Sequence, residues 1–227
     1  LAQVMAIVNR TPDSFYDKGA TFAADKALSR IDDAVAAGAT IIDIGGVKAG
    51  PGDEVTVADE TERVVPLIAA ARSRHPDVTI SVDTWRAQVA EAAINAGADL
   101  INDTWAGFDP ELVEAAGHHR VGYVCSHTGG VTPRTRPHRV HYDDVVADVI
   151  AETTALAERA VAAGVPEERI FIDPTHDFGK NTYHGLELLR RVDELVATGW
   201  PVLMALSNKD FVGETVNRGL YGADITE

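Results

Sequence analysis

Five short apolar runs in this chain end on, or carry close to their end, an Asp or Asn. They are VMAIVN with Asn9, TIIDIGG with Asp43, TISVD with Asp83, DLIND with Asn102 and IFIDP with Asp173. Each run is rich in Val and Ile, and most precede a helix-like stretch. Strands alternating with helices imply a parallel sheet. In a barrel of parallel strands every strand delivers its C-terminal end to one face. Polar groups far apart in sequence then converge on one pocket, which is how a (β/α)8 enzyme builds its site.

The patterning predicts strands at 3–8, 40–44, 78–83, 99–102, 121–126, 169–173 and 201–206. Helices are predicted at 22–37, 57–74, 86–96, 109–118, 141–163 and 184–197, with a further one from about 210. Gly stops in AAGAT, NAGAD, AAGVP and ATGWP precede several strands, because Gly accepts the left-handed conformation that closes a helix. The rival architecture is an open doubly wound sheet, whose strands also read apolar. After strand 1, however, stands NRTPDSFYDKG and not G-x-G-x-x-G. The expectation is therefore a single α/β domain over 1–227, a (β/α)8 TIM barrel whose eighth strand is not evident before the closing YGADITE.

A formal net charge of −15 speaks against nucleic acid as a partner, since phosphates would be repelled. The one cysteine, Cys125 in GYVCSH, allows no intrachain disulfide and reads as a packed thiol on a buried strand. No apolar run approaches the ~18 residues of a membrane span, and no secretory signal pattern opens the chain. These features predict a cytoplasmic protein with no membrane partner.

Four segments carry specific chemistry: NRTPDSFYDKG at 9–19, IIDIGG at 41–46, ISVDTWRAQVAEAAINAGADLIND at 80–103 and IDPTHDFGKN at 172–181. A fifth, ALSNKDFVGE at 205–214, follows in order. Together they resemble dihydropteroate synthase, the folate-pathway enzyme that sulfonamides target. The resemblance implies a (β/α)8 barrel that joins p-aminobenzoate to 6-hydroxymethyl-7,8-dihydropterin diphosphate and releases pyrophosphate. It also implies Mg2+ and two loops, after strands 1 and 2, that hold the diphosphate, and a homodimer. By the same resemblance Asp83, Asn102, Asp173 and Lys209 match pterin-binding positions, with Asp83 and Lys209 the candidates for catalysis. Phe178 matches an aromatic where the two substrates meet, Asp43 an acid on the far side of the ring, and Asn9 the ligand of diphosphate and metal.

The chemistry gives independent reasons for these residue types. A pterin presents N–H donors beside acceptors; carboxylates accept from the donors, and an Asn both donates and accepts. Each residue also has a plain structural reading. Asp83 could cap the helix after it, Asn102 or Asp103 could make a turn, and Lys209 could be a solvated lysine. Asp13 reads as a turn residue. His118, His119, His138 and His141 read as solvated, whereas His127 and His176 lie on strand-end loops and could face the pocket. No histidine pair has the spacing of a structural zinc site.

Departures from the family gather where the second substrate should bind. The loop usually reading GGESTRPG is GGVKAGPG, so its Thr and Arg become Ala49 and Gly50 beside Lys48. The usual SRKS is SNKD, which places Asn208 and Asp210 where Arg and Ser stand, and the usual MHM is CSH at 125–127. Asp210 would cap the helix it opens and set an anion where the benzoate carboxylate should meet donors. At ~4 Å and an effective dielectric of ~20, that repulsion is about 4 kcal/mol as an upper range. Lys48 offers a point charge but no bidentate fork. The expectation is a pterin-binding relative in which standard condensation is weak or lost and the acceptor amine is open. The alternatives are an active synthase with a remodelled acceptor site, a non-catalytic regulatory or scaffold paralogue, and, from fold alone, a methyltetrahydrofolate-dependent methyltransferase.

Overall fold

A computed structural model describes residues 2–10, 20–135, 140–207 and 209–216. Six strands form an all-parallel sheet: β1 (Met5–Asn9), β2 (Ile41–Gly45), β3 (Thr79–Asp83), β4 (Leu100–Asp103), β5 (Gly122–Ser126) and β6 (Ile170–Asp173). Their spatial order is their sequence order. That order has no reversal point, which excludes the doubly wound alternative, where the strand order reverses at a switch point. The helices are α1 (Ala20–Ala36), α2 (Val57–Arg74), α3 (Ala87–Asn95), α4 (Pro110–His119), α5 (Val145–Ala163), α6 (Thr182–Arg190), α7 (Val192–Ala197) and α8 (Asp210–Thr215).

Strand alternation divides the sheet into two faces. Ile42, Ile44, Ile80, Val82, Ile101, Tyr123 and Ile172 pack into the main core with the helices. A separate cluster of Ile41, Leu100 and Val124, joined by Met5, Phe171 and Leu203, fills the opposite face. Helix α2 shows how the sequence commits to this packing. A capping box of Thr56 and Asp59 starts it, and Glu60, Val64, Leu67, Ile68 and Ala71 bury one stripe. Helix α5 starts on Asp144 and stops on Gly164 at φ 105°, the left-handed closure the Gly stops predicted.

Two predicted elements differ. The helix expected at 184–197 is two helices, broken at Arg191 (φ −111°, ψ 27°), whose guanidinium meets both Asp144 oxygens at 3.0 Å and Glu194 at 2.7 Å. No Gly or Pro marks this break, so periodicity could not find it. The strand expected at 201–206 is reduced to one parallel bridge, Val202 to Ile172. Among the described residues it has no neighbour on its other side. Asp13, His138 and Asn208 lie outside the described residues. No helix among the described residues is long and apolar enough to cross a membrane.

Helices α4 and α5 meet at Gly117, where an added Cβ would sit 2.0 Å from the Ala163 carbonyl oxygen. Gly to Ala inside an exposed helix gains about 1 kcal/mol, but overpacking against fixed backbone costs about 1–3 kcal/mol or more. Gly117→Ala is therefore expected to lower stability in urea unfolding; an unchanged or raised midpoint would contradict this packing.

Candidate functional site

The strand register builds the site. Asn9 pairs with Gly45, Gly45 with Asp83, and Asp83 with Asn102, so these four stand in one row across β1–β4. Asp43 and Ser81 form the row beneath, and Ser126 pairs with Asp173. Gly45 is the space-maker: a Cβ there would fall 2.8 Å from Asn9 Oδ1 and 3.3 Å from Asp83 Oδ2.

Asp43 accepts from Ser81 Oγ at 2.6 Å and from Asn102 Nδ2 at 3.1 Å. Asp83 accepts from Thr104 Oγ1 at 3.1 Å. Asp173 accepts from the Thr175 amide at 2.7 Å. Burial pushes the pKa of all three carboxyls up. Asp83 also feels the Asp43 charge, and Asp173 reaches about 6 against the opposing pull of its Thr175 hydrogen bond and of Lys209 and Lys180. Asn102 Oδ1 is buried with no hydrogen-bond partner. An acceptor left so in the interior costs about 1–3 kcal/mol, and a ligand N–H would remove that cost.

The rim is aromatic. Trp85, Trp105 and Val131 form a buried cluster with Val47, Val140 and Phe178. Phe178 meets Trp105 edge-on at 4.6 Å between centroids, and Arg86 lies 4.7 Å over Trp85. Arg86 is itself held by the buried Glu60 at 2.7 Å and the Val55 carbonyl at 2.8 Å. Lys180 donates to the carbonyls of His127, Thr175 and Phe178 at 3.0, 3.1 and 3.1 Å. This fastens the β5 and β6 loops together beneath Phe178.

The structure thus brings Asn9, Asp43, Asp83, Asn102 and Asp173 to one end of the sheet, with Phe178 on its rim. Lys209 is close enough for its charge to pull the Asp173 pKa down, but it is ion-paired to Asp177. Lys48 and Ala49 are exposed on the loop after β2, and Gly50 has open space beside it. Asp210, expected to cap α8, is instead its first residue; the cap position is Lys209, which makes no side-chain cap hydrogen bond. His127 does not face the pocket: its ring turns to α5 and meets Asp148 at 2.9 Å. His176 is buried and stacked on Phe211 at 5.0 Å. Cys125 is buried, as its strand context predicted, and burial pushes its thiol pKa up.

Sequence reasoning missed Trp85, Trp105, Lys180 and Asp177. Trp85 and Trp105 follow strand-end polar residues by two or three positions, a spacing that could have found them. Asp177 and Lys180 are visible only through their partners.

A family model described as pterin binding enzyme matches residues 5–224. The inactive dihydropteroate synthase 2 of Mycobacterium leprae is 63% identical over 221 residues, 96% of this chain and 76% of that protein. The dihydropteroate synthase of Streptococcus pyogenes is 41% identical over 213 residues, 93% of this chain and 77% of that protein. The chain belongs to the dihydropteroate synthase family. The structure of the Xanthomonas albilineans synthase with 4-aminobenzoic acid superposes with a TM-score of 0.86 at 37% identity, covering 95% of this chain and 77% of that one. The fold is thus the TIM-barrel type of the synthases, with β1–β6 and the Val202 bridge as its described strands.

Because burial raises the Asp173 pKa from 3.8 to about 6, its protonated form stabilises the fold. That contribution is full below the unfolded pKa and is lost as pH rises through about 6. Relative to Asp173→Asn, the parent should lose about 2 kcal/mol between pH 4 and pH 7, most of the roughly 3 kcal/mol that the whole shift represents. Parallel urea unfolding curves that keep a constant separation across that range would show that Asp173 is not buried in this way.

Proposed function

We propose that this chain binds a reduced pterin at the barrel mouth through Asp43, Asp83, Asn102 and Asp173, with Lys209 and Phe178 at the edge. We propose further that its condensation with p-aminobenzoate is weak or lost. The single observation that carries the pterin half is the orphaned Asn102 Oδ1 beside the buried Asp43 and the half-buried Asp83, a surface of acceptors that asks for N–H donors. The aromatic wall of Trp105 and Phe178 suits a flat ring beside it. Asn9 Oδ1 and Asp83 Oδ2 border one point above Gly45, and paired oxygens of this kind fit Mg2+ with a diphosphate. When bound, Mg2+ would offset charge on the departing pyrophosphate.

In the family reaction the methylene C–O bond breaks, pyrophosphate takes the electron pair, and the amine nitrogen forms the new C–N bond and sheds a proton. Nothing in that step needs a covalent enzyme intermediate, so positioning and charge are what the chain's own residues would supply. The acceptor half supports little of it. Ala49 and Gly50 carry no donors in their side chains, and Asp210 adds an acid at the start of α8. The name of the Mycobacterium leprae relative, an inactive synthase, supports the same reading.

One observation favours a remodelled acceptor site instead. Arg134 reaches the loop after β2, its Nη2 lying 2.8 Å from the point a Cβ on Gly52 would occupy, and its Nη1 is buried with no hydrogen-bond partner. A guanidinium so placed could take an acceptor carboxylate in place of the missing loop arginine.

Calorimetric titration separates the two readings. Pterin-6-carboxylate should bind, and p-aminobenzoate added with Mg2+ and pyrophosphate should not. Benzoate binding that Arg134→Ala removes would establish the remodelled site, and no pterin binding by folded protein would end the proposal. Within the pterin half, Asp177 competes for Lys209. Asp177→Asn should raise pterin affinity severalfold and Lys209→Ala should lower it about tenfold, roughly 1.4 kcal/mol. Equal affinities in all three proteins would remove Lys209 from the site.

A further inference from the structure

Away from the barrel mouth, three donor atoms converge between the sheet and α5. The His127 ring is fully buried and points outward from the end of β5. Asp148 and Glu152 stand one turn apart on α5 and bring both carboxylates to the same ring nitrogen. His127 Nε2 lies 2.9 Å from Asp148 Oδ2 and 3.3 Å from Glu152 Oε2, and all three ligand atoms fall within 4.8 Å of one another.

An ordinary His–carboxylate hydrogen bond does not account for this arrangement. One ring nitrogen carries at most one proton and serves one acceptor well. The second carboxylate is then held against a like charge. Lys180 is the nearby cation, but its three donors go to the carbonyls of His127, Thr175 and Phe178. Among the described residues no Lys or Arg forms a salt bridge with Asp148 or Glu152. An imidazole nitrogen at this position offers a lone pair when it carries no proton. The two acids are 45% and 47% exposed, which leaves a route for an ion and room for water.

We propose that His127, Asp148 and Glu152 form a divalent transition-metal site of the Zn2+ class on the outer wall of the barrel. One imidazole and two carboxylates, completed by water, are a borderline N/O donor set suited to Zn2+. It is distinct from the Mg2+ expected with a diphosphate, which would sit at Asn9 inside the mouth. A bound ion would tie the end of β5 to the first two turns of α5. Through the His127 carbonyl it would also brace Lys180, which holds the Thr175 and Phe178 carbonyls.

The test is calorimetric titration of Zn2+ into chelator-treated full chain, with Co2+ absorption as a second readout. One Zn2+ per chain and visible Co2+ ligand-field bands are expected. Asp148→Asn and Glu152→Gln, both at partly exposed positions, should each weaken binding at least tenfold while leaving the circular dichroism spectrum unchanged. His118 and His119, whose rings lie 4.9 Å apart, are the competing surface site, and His118→Ala should leave the isotherm unaltered. No uptake, or uptake that survives both acid substitutions, would overturn the proposal. So would loss of binding in His118→Ala alone.

Discussion

The confinement of Asp43, Asp83 and Asp173 within one end of a parallel sheet governs the rest of the site. Their burial opposes ionisation, and the register that brings them together makes Asp43 and Asp83 repel as well. A sheet that only needed to be stable would set apolar residues there, as it does two residues earlier on β2 and β4 with Ile41 and Leu100. The fold tolerates the carboxyls because Ser81, Asn102, Thr104 and the Thr175 amide each donate to one of them. Those donors cover part of the need and leave Asn102 Oδ1 bare. The remaining acceptor capacity is what a donor-bearing ring edge would use.

The loop layer fixes where such a ring could lie. Trp85 and Trp105 come from the loops after β3 and β4 and Phe178 from the loop after β6. Three loops of different origin hold position only if their backbones are fastened. Lys180 does this by binding three carbonyls, and the low solvation of its ammonium pulls its pKa down to about 7. Asp103 does the same on the neighbouring side. It accepts from Tyr123 Oη at 2.6 Å and from the Trp105 and Gly107 amides at 3.0 and 2.7 Å. Asp103 thus takes the turn reading, while Asn102 lies on the opposite face of the same strand, because adjacent residues point opposite ways.

How much of this was legible in the sequence follows the same logic. Strand-end acids are visible because β-strands are short, apolar and punctuated, and a Val/Ile run that ends on Asp stands out. Six strands and nearly every helix follow from that signal. The break at Arg191 was not legible, since it rests on a guanidinium reaching Asp144 on another element. The outward turn of His127 was hidden for a related reason: a strand-end residue faces either the mouth or the helices, and one position in register decides which. Asp177 carries no local signal, since its role rests on its pairing with Lys209 from a distant loop. Long-range partners of charged side chains are the information a local pattern lacks.

The two halves of the mouth differ in what holds them. The proposed pterin half lies on strand ends, where hydrogen-bonded register sets each side chain and a substitution disturbs the core behind it. The proposed acceptor half would lie on the loop after β2 and the start of α8, where Lys48 and Ala49 are exposed and a Cβ on Gly50 would meet nothing within 4 Å. Loops accept substitution without loss of fold. A chain released from turning over the second substrate would therefore change first at positions such as 49, 50 and 210. It would keep Asp83, Asn102 and Asp173, whose rows are tied to the sheet. The pattern of retained and altered residues in this chain follows that division between what the sheet fixes and what the loops leave free.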